Sequence, residues 1–103
     1  MFHALQLEPA DNVATVVAVV AKNTQLTVQT PGARALTLAT VDDIPFGHKV
    51  ALQPLRKGEI VVKYGRPIGR ATADIPQGGL VGIHNLEGMR GRGDLVQERG
   101  AAK

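Results

Sequence analysis

The chain of 103 residues contains no cysteine, no serine and no tryptophan. Without cysteine it has no disulfide framework, no thiolate nucleophile and no zinc site with sulfur ligands. Without serine, a serine-based catalytic triad is excluded. Any metal ion would therefore need histidine, carboxylate, amide or main-chain oxygen ligands, from this chain or from a partner.

Long apolar segments are also missing. The longest runs from Val13 to Ala21, is interrupted by Thr15, and is too short to cross a membrane. No charged segment typical of a secretory signal precedes it, so we expect a cytoplasmic location and no membrane partner. A helix would fit this segment on periodicity alone, but five valines in the eight residues from Val13 to Val20 favour a buried strand.

The net charge of +3 has its positive excess near the end of the chain, where Arg90, Arg92, Arg99 and Lys103 lie within the last fourteen residues. Only one tyrosine and two phenylalanines are available for base stacking, so nucleic acid is not an expected partner. We predict that residues 1–86 form one domain and that residues 87–103 form a basic, glycine-rich tail. Arg90 and Arg92 would then contact a protein partner.

A short pattern of an apolar residue, a turn and a glycine recurs three times. The copies are residues 43–50, 55–61 and 74–81. Glycine accepts the positive φ that other residues resist, so each copy predicts a tight turn. Short strands are expected around these turns, near residues 48–53, 59–64, 68–73 and 80–84.

Two earlier segments, Gln25–Thr30 and Arg34–Thr40, alternate polar and apolar residues with the period of a half-buried strand. Pro31-Gly32 between them predicts a hairpin. Residues 1–10 are expected to form an irregular or edge-strand lead-in, and Asp11-Asn12 a turn. No amphipathic helix of useful length is present, so the sequence predicts a compact all-β domain.

Five short blocks resemble, in the same order, blocks of the altronate/galactarate dehydratase family. They are Asp11–Ala14 (DNVA), Ile44–Leu52 (IPFGHKVAL), Lys63–Ala71 (KYGRPIGRA), Asp74–Gly78 (DIPQG) and His84–Leu86 (HNL). The resemblance implies an SAF domain with the β-clip fold, which works with a much larger catalytic domain or subunit. It further implies that this chain is a separately encoded small subunit, similar to those of two-subunit sugar-acid dehydratases and sulfolactate sulfo-lyases.

The chemistry implied by the resemblance is elimination of water, or of sulfite in the sulfo-lyases, from a sugar acid or related 2-hydroxy acid. A base takes the proton next to the carboxylate, and a divalent metal, Fe²⁺ or Mg²⁺, helps the leaving group depart. The metal would be held mainly by the larger catalytic subunit. The chain departs from the family at Leu7–Ala10, where members often carry a histidine, and at Gly82, where many have the first histidine of an HxHN pattern.

The residue types in these blocks suggest which side chains face the shared site. His48, Lys63 and Tyr64 are the catalytic candidates, and Lys49, Arg66, His84 and Asn85 are the substrate-binding candidates. Histidine suits proton transfer, and lysine, tyrosine and arginine suit the carboxylate and hydroxyl groups of a sugar acid. Because adjacent residues alternate across a strand, His48 and Lys49 are not expected to face the same pocket.

Structural explanations remain open for each of these residues. His48 and Lys49 could be solvated surface residues, and His84-Asn85 could cap the last strand. Gly65 and Gly69 could bracket a sharp turn with Tyr64 as an amphipathic plug of the core. For the whole chain, the alternative to a lyase subunit is a non-catalytic SAF-type binding module or a small-molecule sensor.

Overall fold

A computed structural model describes residues 2–32 and 34–88. This part of the chain contains β-strands and turns but no helix, and hence no helix able to span a membrane. The strands are β1 (Ala4–Leu5), β2 (Val13–Val16), β3 (Gln25–Gln29), β4 (Ala35–Ala39), β5 (Lys49–Ala51), β6 (Ile60–Lys63), β7 (Arg66–Ala71), β8 (Leu80–Val81) and β9 (Leu86–Gly88). The predicted all-β class is confirmed.

The strands form a six-stranded sheet in the order β4-β3-β1-β2-β5-β8 and a three-stranded sheet in the order β6-β7-β9. Neighbouring strands are antiparallel except for β1 and β3, which are parallel. The interpretation of residues 1–10 as a lead-in at an edge is wrong. Ala4 pairs with Val16 on one side and with Val28 on the other, and its side chain is fully buried in the core.

Strand β2 contributes to two separate hydrophobic clusters, because successive side chains of a strand point to opposite faces. Ala14 and Val16 pack into a cluster with residues of β3 and β5, whereas Val13 packs into a second cluster with residues of β6 and β7. Ala51 of β5 joins Val13 in that second cluster. The central strands of the larger sheet are thus covered on both faces.

The valine-rich segment forms a strand rather than a helix, but a shorter strand than predicted. Strand β2 ends at Val16, where the opposite segment turns at Phe46 and Gly47. Pairing resumes only at an isolated bridge between Val20 and Ile44. The residues between these two pairings run outside any strand.

The three repeated turns are confirmed. Their glycines, Gly47, Gly58 and Gly78, have φ values of +84°, +89° and +85°. Each copy also buries one aliphatic side chain just before its turn. These side chains are Ile44, Leu55 and Ile75. The repeat therefore encodes both a turn and the residue that anchors it in the core.

Asp11 and Asn12 do more than form a local turn. Asp11 donates its N–H to the Glu8 carbonyl across such a turn, but both side chains also reach the smaller sheet. The Asn12 side chain accepts a bond of 2.8 Å from Val62 N–H and donates one of 3.0 Å to the Ile60 carbonyl. An Asp11 carboxylate oxygen accepts a bond of 2.8 Å from Gly65 N–H. These bonds attach the start of β2 to β6 and to the turn that follows it.

Replacing Asn12 should weaken this attachment. We expect Asn12→Ala to lower the free energy of unfolding by about 2–3 kcal/mol, because it removes two bonds and leaves two main-chain groups without partners. Asn12→Asp keeps the acceptor for Val62 N–H but sets a carboxylate oxygen against the Ile60 carbonyl, so it should also lower the free energy of unfolding, and less at acidic pH, where the protonated acid can donate to Ile60. Urea denaturation measures both changes. A loss below about 0.5 kcal/mol for Asn12→Ala would contradict the assigned role.

Replacing the turn glycine with alanine should cost different amounts of stability in two of the repeated turns. A Cβ at Gly58 meets no atom within 4 Å, so Gly58→Ala should cost only the strain of its positive φ, about 1–2 kcal/mol. A Cβ at Gly78 would lie 2.0 Å from the Ala39 carbonyl oxygen, so Gly78→Ala should cost more than about 3 kcal/mol. Thermal and urea denaturation of the two variants side by side would test this. Equal losses would show that Gly78 is required only for its φ.

Candidate functional site

A groove of about 380 Å³ lies where β5 and the edge strand β8 meet their connecting loops. The residues that line it are Gly47, His48, Lys49, Leu80, Val81, Gly82, Ile83 and His84. Two histidines and one lysine therefore line a groove whose other lining residues are glycine and aliphatic. Three of the residues predicted from the sequence, His48, Lys49 and His84, are brought together here.

His48 combines a fixed main chain with an exposed side chain. Its carbonyl accepts a bond of 2.9 Å from Val16 N–H, which ties it to the end of β2. The imidazole Nδ1 lies 3.3 Å from the Phe46 carbonyl oxygen. In the described part of the chain no group bonds to Nε2, so that nitrogen is available to a ligand.

Lys49 lines the same groove as His48, which the alternation of side chains along a strand did not predict. Lys49 pairs in register with Val81 of β8 and with Thr15 of β2. Since β8 is an edge strand of only two residues, the groove runs past the end of the sheet and is not confined to one face. His48, which directly precedes β5, and Lys49, its first residue, can therefore both contribute to it.

The ammonium group of Lys49 is in an unfavourable environment. Burial lowers its pKa from the usual value for lysine, and the nearby positive charge of Lys63 lowers it further, while Tyr64 acts weakly in the opposite direction. Within residues 2–32 and 34–88 no carboxylate forms an ion pair with Lys49. A bound anion would compensate this charge.

Lys63 is the last residue of β6, and Tyr64 is the first residue of the turn between β6 and β7. The Lys63 ammonium nitrogen lies 4.7 Å from the centroid of the Tyr64 ring, a cation–π contact. Tyr64 and Gly65 have φ values of +57° and +73°, as expected for the two central residues of a type I′ hairpin turn. The Tyr64 side chain is 50% exposed, so the alternative in which it plugs the core is wrong.

The sharp turn expected at Gly65 is confirmed, but Gly69 is not part of it. Gly69 lies within β7, and a Cβ there would come within 2.2 Å of the Glu87 carbonyl oxygen in β9. Its role is close packing of two strands. Arg66, the first residue of β7, is exposed beside the Tyr64 turn.

Asn85 shapes the loop that carries His84. Its side-chain oxygen accepts a bond of 2.9 Å from Gly82 N–H, and its side-chain amide donates one of 2.9 Å to the Leu80 carbonyl. These two bonds match the capping alternative for Asn85 and leave the imidazole of His84 exposed. A Cβ at Gly82 would lie 3.4 Å from His84 Nδ1, so position 82 lies directly beside that imidazole.

Two features of the site had no signal in the sequence. The hydroxyl oxygen of Thr15, which faces Lys49 in register, is buried without a hydrogen-bond partner in the described ranges. Ile83 lines the groove, yet its side chain is fully exposed, at 101%. Arg90 and Arg92, predicted to contact a partner, lie outside the described residues.

The described residues do not by themselves fit a divalent metal. Over residues 2–32 and 34–88 no three His, Cys, Asp or Glu side chains come together as ligands. His48 and His84 would supply at most two imidazoles, and a complete ligand set for Fe²⁺ or Mg²⁺ would need further oxygen or nitrogen groups.

The fold and the groove together define a class of protein. It is a small β domain that presents histidine and lysine side chains beside the edge strand of its larger sheet. Residues 2–89 match the altronate/galactarate dehydratase SAF domain family. The chain belongs to this family, and its fold is the SAF β-clip.

Individual relatives are lyases or their subunits. Altronate dehydratase of Escherichia coli (strain K12) is 40% identical over 81 residues, which are 79% of this chain and 15% of the relative. Subunit alpha of (2R)-sulfolactate sulfo-lyase from Paracoccus pantotrophus is 48% identical over 48 residues, 47% of this chain and 72% of that subunit. The corresponding subunit from Chromohalobacter salexigens is 42% identical over 57 residues, 55% of this chain and 61% of the subunit.

The match spans only a small part of the larger relatives. It covers 15% of the Escherichia coli altronate dehydratase and 11% of the Bacillus subtilis (strain 168) enzyme, which is 42% identical over 55 residues, 53% of this chain. The chain is therefore an SAF domain of the kind associated with lyases, and its relatives are either small subunits or much larger enzymes.

The unfavourable environment of Lys49 predicts a pH dependence of stability. With its pKa lowered in the folded state, the unfolded chain binds more protons below pH 10.5, so stability should rise as the pH increases from the lowered pKa towards 10.5. Lys49→Met should raise the urea midpoint near neutral pH and flatten this rise. Lys22→Met, at an exposed position, serves as the control. A lower midpoint for Lys49→Met would contradict the assignment.

Proposed function

We propose that the chain is the small SAF-domain subunit of a cytoplasmic, metal-dependent hydro-lyase that eliminates water from a sugar acid or a related 2-hydroxy acid. The observation that carries this proposal is the convergence of His48, Lys49 and His84 in one groove. The membership of the chain in a dehydratase SAF-domain family supports it. The larger catalytic subunit would supply the rest of the active site.

The groove suits one wall of an active site better than a complete one. Its volume of about 380 Å³ is in the range of small-ligand pockets, but its lining comes only from the end of β5, from β8 and from their loops. Elimination from a charged acid needs a site that excludes water and surrounds the reacting atoms. A second protein surface opposite His48 and His84 would provide this enclosure.

The residues of the groove and of the nearby turn divide into two chemical roles. His48, with Nε2 available, is the candidate base that takes the proton from the carbon next to the carboxylate. The electron pair of that C–H bond forms the double bond while the C–O bond on the neighbouring carbon breaks, and the hydroxyl leaves as water once protonated. His84 lines the same groove and can bind the substrate hydroxyl or carry the proton for this leaving group.

The cationic groups would hold the acid in place. Lys49 has no ion-pair partner in the described residues, and a substrate carboxylate would restore the charge balance that burial disturbs. Lys63, held over the Tyr64 ring, and the exposed Arg66 extend this positive region along the β6-β7 turn. The divalent metal would supply Lewis acidity at the leaving group, and since residues 2–32 and 34–88 offer no complete ligand set, its ligands would come mainly from the partner.

Substitution of His48 tests the proposed role in turnover. The tagged chain would be purified gently from its native host with its larger partner, and the complex assayed with altronate, galactarate and (2R)-sulfolactate. We expect His48→Ala to lower kcat by about 10²–10⁴-fold, the usual contribution of a general base, without changing complex formation. His3→Ala is the matched control, because His3 Nδ1 accepts a bond of 3.0 Å from Thr27 N–H and serves the fold.

The outcomes separate the candidate functions. Unchanged kcat in His48→Ala would remove His48 from the chemistry. A chain that purifies alone and binds a sugar acid without any elimination would instead support the binding module or sensor. Release of sulfite in place of water would keep the lyase assignment and change the leaving group.

A further inference from the structure

Four large apolar side chains lie at the groove or beside the turn that leads into it, and the described part of the domain leaves them exposed. Val17, Val19, Phe46 and Ile83 are 36%, 83%, 65% and 101% exposed. We call this set the apolar rim. Exposed apolar side chains that are contiguous, as opposed to scattered singly, mark interaction surfaces.

Main-chain hydrogen bonds show that the members of the apolar rim are neighbours. Gly47 N–H donates to the Val16 carbonyl at 2.8 Å, and Val20 N–H donates to the Ile44 carbonyl at 3.0 Å. Residues 16–20 therefore run beside residues 44–48, which places Val17 and Val19 along the turn that carries Phe46. Ile83 lines the groove together with Gly47 and His48, on the other side of the same turn.

We infer that the apolar rim is the surface on which the larger catalytic part of the lyase docks, so that docking closes the groove over His48 and His84. This inference rests on the proposed function, to which it adds the face of the domain that is used. It replaces no role of the predicted basic tail, of which residues 89–103 lie outside the described part of the chain.

The catalytic part is the occupant that the observations favour. The match covers 15% and 11% of two altronate dehydratases, so in those relatives most of the protein lies outside this domain and is available to cover one of its faces. A surface that covers the rim also reaches the groove, because Ile83 belongs to both. The partially built site and the exposed apolar side chains then have a single explanation.

A second copy of this chain fits the rim less well. Among the described residues no carboxylate lines the groove, and the ionisable ones that do are His48, Lys49 and His84. A two-fold contact through the rim would bring two Lys49 ammonium groups towards each other in a partly dehydrated space, at an electrostatic cost. A different protein can meet the same surface with complementary charge.

The experiment measures binding and turnover separately. This chain and its catalytic partner, the protein from the same organism that resembles the remainder of altronate dehydratase, would be purified separately and their Kd measured by biolayer interferometry. Val19→Asp and Ile83→Asp should each weaken binding by at least about thirty-fold, as for the loss of a central apolar contact. Both positions lie outside strands and are largely exposed, and circular dichroism would check that each variant is folded.

Thr37→Asp is the matched control. Thr37 has nearly the shape of valine, is exposed, and lies on β4 at the opposite edge of the six-stranded sheet. We expect its Kd to stay within threefold of the unmodified chain. His48→Ala should also keep the Kd while losing turnover, which distinguishes docking from chemistry.

Each outcome bears on one of the two proposals. If Val19→Asp and Ile83→Asp bind as tightly as the unmodified chain, the docking face lies elsewhere and the inference is overturned, whatever the activity of the complex. If these variants lose binding but the intact complex eliminates nothing from a hydroxy acid, the inference stands and the proposed function fails. If the isolated chain dimerises and Ile83→Asp only makes it monomeric, the rim is a contact between copies and the inference is overturned.

Discussion

The hydrogen bonds made by the side chains of Asp11 and Asn12 connect the two sheets of this domain. Asn12 bonds to the main chain of β6, 48 and 50 residues further along, and Asp11 bonds to Gly65 in the turn that follows. Both side chains are buried, so water does not readily replace these bonds. The position of the Lys63-Tyr64 turn relative to the larger sheet, and hence the field that Lys63 exerts on Lys49, depends on this connection.

The glycine turns could be predicted because their causes are local. A positive φ at Gly47, Gly58 and Gly78 and a buried aliphatic residue before each turn are requirements of a few adjacent residues. The parallel pairing of β1 with β3 and the addition of β9 to the smaller sheet are not local, since they depend on which strand edges remain free after the chain has folded. The long-range bonds of Asn12 belong to the same group, because an Asp-Asn pair in a sequence fits a turn equally well.

In the candidate site, too, the features with local causes could be predicted from the sequence and those that depend on distant segments could not. His48, Lys49 and His84 meet because β5 and β8 are neighbours, and turns of the kind the sequence indicates lead into both strands. The partial burial of Lys49 and the exposure of Val19 and Ile83 could not be predicted, since both reverse the usual preference of the residue type. In a sequence, valine and isoleucine indicate core, and only the positions of neighbouring segments show that the described part of the chain leaves these two exposed.

Lys49 and the apolar rim both reduce the stability or solubility of the isolated domain. A partly buried ammonium group that forms no ion pair within the described residues favours the unfolded chain, and exposed valine, phenylalanine and isoleucine side chains favour association. Proteins retain destabilising features where function needs them. Here the partly buried lysine and the exposed apolar rim both lie at the groove beside β5 and β8. A substrate carboxylate would compensate the charge and a docked catalytic part would cover the rim. Because Lys49 and Ile83 line one groove, the two events would be coupled: docking would remove water around Lys49 and so strengthen its interaction with the bound anion.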